Sequence, residues 1–411
     1  MTSNKFDYPN KLQKIFDKLN NLNLKVIIVG GYVRDQLLGI PSKDIDIEIY
    51  NIDSFEELEK LLIEFGDVNS VGKSFGVCKL KLDDLDIDFS LPRSDSKIQE
   101  GHKGFDVSIN SQLNFKTAAS RRDFTINAIG YDVHKLKLLD PYNGIKDLEK
   151  KILKAVDTNK FAQDPLRILR AVGFATRFEL KIDKTLFTLL KVMVKEKLLD
   201  QLPKERIFVE IEKFLTKSKK PSKAFEILQD LQAKKYFFEL YTLSKVEYLQ
   251  TLSSLDKCES KEIKILLVVL THKMTEIEKF LLRFIQSQKL IKYVLRLVHN
   301  QNTIQLNKLK PYDIYKLATQ VNISEYLFFL KAIRSESEYE QIQKLQDLAN
   351  KLNIMHSKLP VILTGKDLIA QGLKPSKEFS KILDRAYEAQ MRGEFKDKEG
   401  AIKWLQSVVF T

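Results

Sequence analysis

Residues 26–50 read VIIVGGYVRDQLLGIPSKDIDIEIY. Val26, Ile27, Ile28 and Val29 form a β-branched apolar run that stops at Gly30-Gly31, the pattern of a buried strand running into a tight turn. Residues 32–38 have helical character, and Gly39, Ile40 and Pro41 end it. From Asp44 to Ile49 the sequence alternates acid and isoleucine. Side chains two apart on a strand share a face. Asp44 and Asp46 are therefore expected to point together, with Ile45, Ile47 and Ile49 turned to a core.

Two carboxylates side by side repel each other unless a cation sits between them, and Mg²⁺ prefers oxygen ligands of this kind. The glycines just upstream let a backbone approach a phosphate closely, and the following helix presents its amino-terminal end. Together these parts describe a metal-assisted nucleotidyl-transfer site. The bland alternative is an ordinary turn followed by an exposed amphipathic strand. Either half alone would favour it; Gly30-Gly31, Arg34-Asp35 and Asp44-x-Asp46 at this spacing argue against it.

The stretch resembles the head motif of the class II nucleotidyltransferases, the family of bacterial and eukaryotic tRNA CCA-adding enzymes and bacterial poly(A) polymerases. Further motifs follow in that family's order. Residues 118–131, AASRRDFTINAIGY, match its RRDFT-x-NA element. A guanidinium fork binds phosphate oxygens bidentately and keeps its charge, so Arg121 and Arg122 suit a triphosphate. Asp140, Pro141, Gly144, Asp147 and Leu148 match a D-P-x-x-G-x-x-D-L element, read as a structural hinge. Residues 161–178, FAQDPLRILRAVGFATRF, resemble the E-D-x-x-R motif whose Asp and Arg read the base, with Gln163 in place of the usual Glu. Pro165 fits a first helical turn after Asp164 as N-cap, and Arg167 and Arg170 share a face. Glu205 and Arg206 match an E-R-I element and are read as orienting residues. Residues 94–105, polar and glycine-containing, resemble the flexible loop that shifts such enzymes from CTP to ATP. Residues 363–404 resemble the tail that holds the tRNA elbow; Lys366, Lys374 and Lys377 are candidate phosphate contacts there.

The implied fold is an α/β nucleotidyltransferase head with a small, palm-like mixed sheet, followed by an all-helical neck, body and tail. The expected divisions are head 1–146, neck 147–217, body 218–355 and tRNA-binding tail 356–411. Asp44 and Asp46 are the implied catalytic residues and ligands of two Mg²⁺ ions. A second acid pair, Asp86 and Asp88, lies on a later strand. Asp88, nearer the strand's exit, is the candidate third ligand. Gly30, Gly31, Arg34, Arg121, Arg122, Asp123, Asn127, Asp164, Arg167 and Arg170 form the implied nucleotide site. The implied reaction is template-independent addition of C, C and A to tRNA from CTP and ATP. Addition of CC or A alone, a poly(A) polymerase and a non-catalytic tRNA-binding protein stay open.

Composition agrees with this reading without deciding it. The 411 residues are 44% hydrophobic and 30% charged, as expected of a globular chain of several domains. A net charge of +13 favours a polyanionic partner. No apolar run approaches the roughly 20 residues of a membrane span. Two cysteines and five scattered histidines offer neither a disulfide framework nor zinc spacing, which fits a reducing cytoplasm. No protein partner is implied.

Overall fold

The Asp-Ile alternation forms the middle of a seven-stranded mixed sheet. The computed structural model describes residues 6–69, 76–83, 85–97 and 105–409, with the backbone alone at 94–97 and 105–109. Its strands are β1 (Lys25–Val29), β2 (Asp44–Tyr50), β3 (Asp67–Asn69), β4 (Val77–Leu82), β5 (Leu85–Ser90), β6 (Arg93–Lys97), β7 (Phe105–Ile109), β8 (Gly130–Asp132) and β9 (Lys137–Leu139). The sheet runs β3-β4-β5-β2-β1-β8-β9. Only β2 and β5 are parallel within it; the other neighbours are antiparallel.

Helices α1 (Gln13–Asn21), α2 (Gly31–Leu37) and α3 (Phe55–Ile63) follow the first strands' connections, as the periodicity predicts. The next, α4 (Phe115–Ala119), lays Phe115, Ala118 and Ala119 on Ile27, Val29 and Tyr50. That seat depends on Gly130. A Cβ there would lie 2.6 Å from the Phe115 ring and 2.8 Å from Ile27. The consequence is positional, because the chain leaves α4 straight into Arg121 and Arg122, above β2.

Helix α5 (Gly144–Glu149) is started by Asp140, whose carboxylate accepts from the backbone N–H of Gly144 (2.7 Å) and Ile145 (3.0 Å). Asp147 then accepts from the Thr125 hydroxyl at 2.7 Å. The hinge element thus pins the RRDFT segment, a structural role. Helix α6 (Thr158–Ala162) is capped by Asp157, and α7 (Arg167–Arg177) follows a turn.

Two expectations need correction. Asp164 does not cap α7 directly; the helix begins at Arg167, after a turn in which the Leu166 N–H bonds the Asp164 carboxylate at 3.1 Å. The polar segment 94–105 is not all loop. Its flanks are β6 and β7, paired antiparallel from Arg93–Ile109 to Lys97–Phe105. The alternation in Phe105-Asp-Val-Ser-Ile109 carries that strand signal. The rest of that segment, 98–104, and its implied role lie outside the described residues.

Contacts divide the chain into two units: Met1–Phe214 with Lys223–Ala233, and Leu215–Ser222 with Lys234–Thr411. The second unit is helical. Its helix Ile263–Thr271 is buried from Ile265 to Thr271. The tail packs Leu363, Leu368, Ala386, Ala389, Phe395, Ala401 and Leu405 together. Thr364 and Asp367 cap its first helix reciprocally.

Next to Ile263–Thr271, His272 is 5% exposed, bonds the Val269 carbonyl at 2.7 Å and stands edge-on to Phe329. Burial, with Lys273 and Arg334 nearby and against the Val269 bond, pushes its pKa down to about 4. Between there and about 6.5 the unfolded chain holds a proton that the folded chain lacks, so stability falls as pH drops through that window. The expected loss from pH 7.5 to 4.5 is about 2.5 kcal/mol. His272→Asn, whose amide keeps a donor for Val269, should lack this component. Urea unfolding of both proteins at the two pH values checks it; equal pH slopes would refute the assignment.

Candidate active site

Sheet register sets the acids. On β2, Asp44, Asp46 and Glu48 share one face. Parallel pairing puts Asp44 opposite Asp86, Asp46 opposite Asp88 and Glu48 opposite Ser90. Asp44 and Asp86 are exposed at the strand starts; Asp46, also exposed, and the half-buried Asp88 line a cleft of about 210 Å³. Val29, Glu48, Val77, Ser90, Leu91, Arg93, Arg121 and Arg122 complete its lining. Asp88 also accepts from Lys79 on β4 at 3.1 Å. A larger cleft of about 570 Å³ lies around Leu180, Ile182, Phe187 and Ile227, with Lys181, Lys184 and Asp230 among its lining. It brings no carboxylate pair together.

Gly30 sits at φ +72°, a conformation L side chains rarely adopt. A Cβ there would also fall 2.7 Å from Arg122 Nη1 and 3.6 Å from Asp46 Oδ2. The bare turn therefore lets the Arg122 guanidinium lie over the backbone beside Asp46. Gly31 opens α2.

Burial raises the Asp46 carboxyl above the ordinary aspartate range, against Arg122 and with help from Asp88, Glu48 and Asp44. Such a crowd of carboxylates suits a hard divalent cation. Among the described residues no three His, Cys, Asp or Glu side chains converge as a metal cage. Mg²⁺ at phosphoryl sites takes one or two carboxylates plus substrate oxygens. The donor set at Asp46 and Asp88 fits that chemistry.

Glu48 was not singled out from the sequence. It is 0% exposed. Its Oε1 accepts from Arg121 Nη2 at 3.2 Å and Arg122 Nη2 at 3.0 Å, and its Oε2 accepts from the Tyr50 hydroxyl at 2.8 Å. Burial alone would push the Glu48 carboxyl up; Arg122, Arg121 and the Tyr50 hydroxyl together hold it below the usual glutamate range. Its only sequence signal is the third acid in Asp-x-Asp-x-Glu.

A second network lies beneath the cleft. Asp123 is buried; its Oδ2 accepts from Arg170 Nε at 2.8 Å and Nη2 at 2.5 Å, and its Oδ1 from the Phe124 N–H and Asn127 Nδ2. Asn127 Oδ1 accepts from Arg34 Nη1 at 2.5 Å. Arg34 is 5% exposed, pairs with Asp35 and lies against the Phe174 and Phe178 rings. Arg167 donates to the carbonyls of Lys160 (3.1 Å) and Arg121 (2.8 Å). These residues knit α2, the RRDFT segment and α7 together. Of the sequence-predicted residues, Asp46, Asp88, Arg121 and Arg122 line the cleft, with Gly30 beside it. Asp44 stands outside its lining, and Arg34, Asp123 and Asn127 are in the network below. Lys366, Lys374 and Lys377 are exposed in the tail.

Residues 26–154 match the Poly A polymerase head domain, 179–242 the probable RNA- and SrmB-binding site of polymerase A, and 257–405 a tRNA nucleotidyltransferase domain 2. A multifunctional CCA protein of Methylobacillus flagellatus is 36% identical over 207 residues, 50% of this chain and 48% of that protein. A CCA-adding enzyme of Buchnera aphidicola is 35% identical over 224 residues, 54% and 51% of the two chains. The match thus spans about half the length of these curated relatives. A solved CCA-adding enzyme without ligand superposes with TM-score 0.72 at 23% identity, covering 98% of this chain and 97% of that one. The Thermotoga maritima CCA-adding enzyme complexed with tRNA gives 0.65 at 24% identity, covering 97% and 96%.

The mixed sheet with its acid ladder, glycine turn and arginines defines a nucleotidyltransferase-type head on a helical remainder. In sequence and fold the chain is similar to the CCA-adding enzymes, and its residues 26–154 to the Poly A polymerase head domain.

Proposed function

We propose that this protein adds C, C and A, without a template, to the 3′ end of tRNA, using CTP and ATP and releasing pyrophosphate. The observation that carries this reading is the cleft in which Asp46 and Asp88 stand in register beside Gly30 and Arg122. Relatives named CCA-adding enzymes, and related structures holding ATP, CTP or tRNA, support the choice of substrates.

Asp46 and Asp88, with Asp44 at the strand start, would hold Mg²⁺, in the two-ion arrangement the resemblance implies. Such ions, when bound, lower the pKa of the attacking 3′ hydroxyl and steady the leaving pyrophosphate. Arg121 and Arg122 supply fixed positive charge where the triphosphate's negative charge lies. Gly30 and Gly31 allow its phosphates close to the backbone. The head, neck, body and tail divisions, and phosphate contacts by Lys366, Lys374 and Lys377, belong to the same proposal. No helix of the described residues is long and apolar enough to cross a membrane. Cys78 and Cys258 are buried and not joined in a disulfide, which suits a cytoplasmic setting.

Incubation with tRNA ending at its discriminator base and each labelled NTP tests the proposal by product length. Three added nucleotides, requiring CTP and ATP, support it. CC alone, A alone or a long A tract identifies a different member of the family, and tRNA binding without extension a non-catalytic one.

Base choice is assigned to Asp164 and Arg167. Cytosine and adenine each present an amino donor beside a ring-nitrogen acceptor, matching a carboxylate and a guanidinium. Uracil presents the opposite polarity and leaves polar groups unpaired, at about 1–3 kcal/mol each. The two carbonyls that hold Arg167 fix its plane. Asp164→Asn adds an amide donor that uracil O4 can accept. It should raise kcat/KM for UTP relative to CTP by roughly ten-fold or more, the equivalent of one such unpaired group. An unchanged ratio in an active variant would reject base reading by Asp164.

A further inference from the structure

We infer that Glu48 is a positioning residue for the nucleotide site: it holds the guanidiniums of Arg121 and Arg122 in the cleft and keeps Arg122 from closing onto Asp46. The inference rests on the reading of this cleft as a nucleoside triphosphate site.

Three observations carry it. Glu48 lies two residues beyond Asp46 on the same strand face, but deep: its side chain is 1% exposed, against 19% for Arg121 and 15% for Arg122. Both arginines bond the same oxygen, Oε1, while the Tyr50 hydroxyl fixes Oε2 and with it the carboxylate plane. Arg122 Nη1 lies over Gly30 beside Asp46, and its Nε is buried without a hydrogen-bond partner among the described residues.

A guanidinium so close to a carboxylate would ordinarily pair with it. At Asp46 that pairing would neutralise the acid proposed to bind the cation and remove a positive group proposed to meet phosphate. Glu48 offers Arg122 a competing, better-shielded anion on the floor of the cleft. The arginines are thereby oriented before the nucleotide arrives, which lowers the ordering cost of binding. Because Glu48 acts through the two arginines it holds, its loss should weaken nucleotide binding more than the chemical step.

Glu48→Gln tests this, since it keeps the size and an acceptor but removes the charge. KM for CTP and ATP should rise about ten-fold while kcat falls less than about three-fold. The dissociation constant for CTP in EDTA, without tRNA, should rise by a similar factor of about ten, independently of turnover. Tyr50→Phe, which frees Oε2 but keeps the charge, should shift the same two quantities in the same direction by about two- to three-fold. It also serves as the test if Glu48→Gln does not fold. Wild-type affinity for CTP in a folded Glu48→Gln protein, or in folded Tyr50→Phe where the former fails, would overturn the proposal. So would a loss confined to kcat. A wild-type protein that binds CTP but extends no tRNA would refute the proposed function instead, leaving the binding comparison to judge Glu48.

Discussion

Asp46→Asn is expected to lower incorporation of both CMP and AMP by at least about 10³-fold, a loss of about 4 kcal/mol of transition-state stabilisation. The same change should leave tRNA affinity and melting temperature near wild type. The separation follows from the site's electrostatics. Asp46 stands opposite Asp88, with Glu48 and Asp44 on the same strand face, and its carboxyl is raised by burial and by those neighbours. Its charge is therefore tolerated in the fold for a task other than holding it together. Asparagine keeps the volume and hydrogen-bonding capacity but not the charge that a divalent cation needs. Single-turnover extension of a labelled tRNA, with filter binding and thermal melting of the same preparations, measures all three quantities. Retention of more than about 1% of the wild-type rate would remove Asp46 from the metal site.

Much of this architecture is legible in the strand patterns. The β-branched run, the glycine pair and the Asp-Ile alternation predict β1, α2 and β2 within a residue or two, because each is a local consequence of periodicity and turn chemistry. Asp88 is the acid nearer the exit of its strand, and the parallel register of β2 and β5 sets it opposite Asp46. Glu48 was illegible for a physical reason. Alternation says which face a residue is on, not how deep it lies. Its depth depends on α4 covering the lower half of that face and on two arginines 73 and 74 residues away in sequence. The inner network poses the same difficulty. Arg34, Asp123 and Asn127 carry the chemistry expected of a ligand site, and composition cannot tell a side chain aimed at a triphosphate from one bonded within the fold. The hairpin β6–β7 was hidden by its polar composition, although five of its residues alternate.

Asp123→Ala is expected to destabilise the head by about 3–5 kcal/mol, the range for removing one member of a buried, hydrogen-bonded ion pair. The partners explain the size. The carboxylate takes two N–H groups of Arg170, the Phe124 backbone N–H and the Asn127 amide, and Asn127 in turn holds Arg34. Alanine would leave Arg170 and Asn127 without their acceptor and would loosen the link between α7 and the RRDFT segment. For a unit of this length the loss corresponds to a fall in melting temperature of roughly 6–20 °C, at about 2–4 °C per kcal/mol. Asp123→Asn, which can still accept from Phe124 and Asn127, should fall between alanine and wild type. The pH dependence adds a sign. Burial raises the Asp123 carboxyl, but Arg170 and the Asn127 bond outweigh it and hold the folded-state pKa below the ordinary range. The ionised carboxylate therefore stabilises the fold above the unfolded value of about 3.9, and that contribution fades as pH falls through the lower, folded value. The deficit of Asp123→Ala against wild type should accordingly be full at pH 7 and should narrow in acid below about pH 3.9. Calorimetry of both proteins across that range measures it, and a drop of less than about 2 °C at pH 7 would show that the network contributes no more than an exposed ion pair.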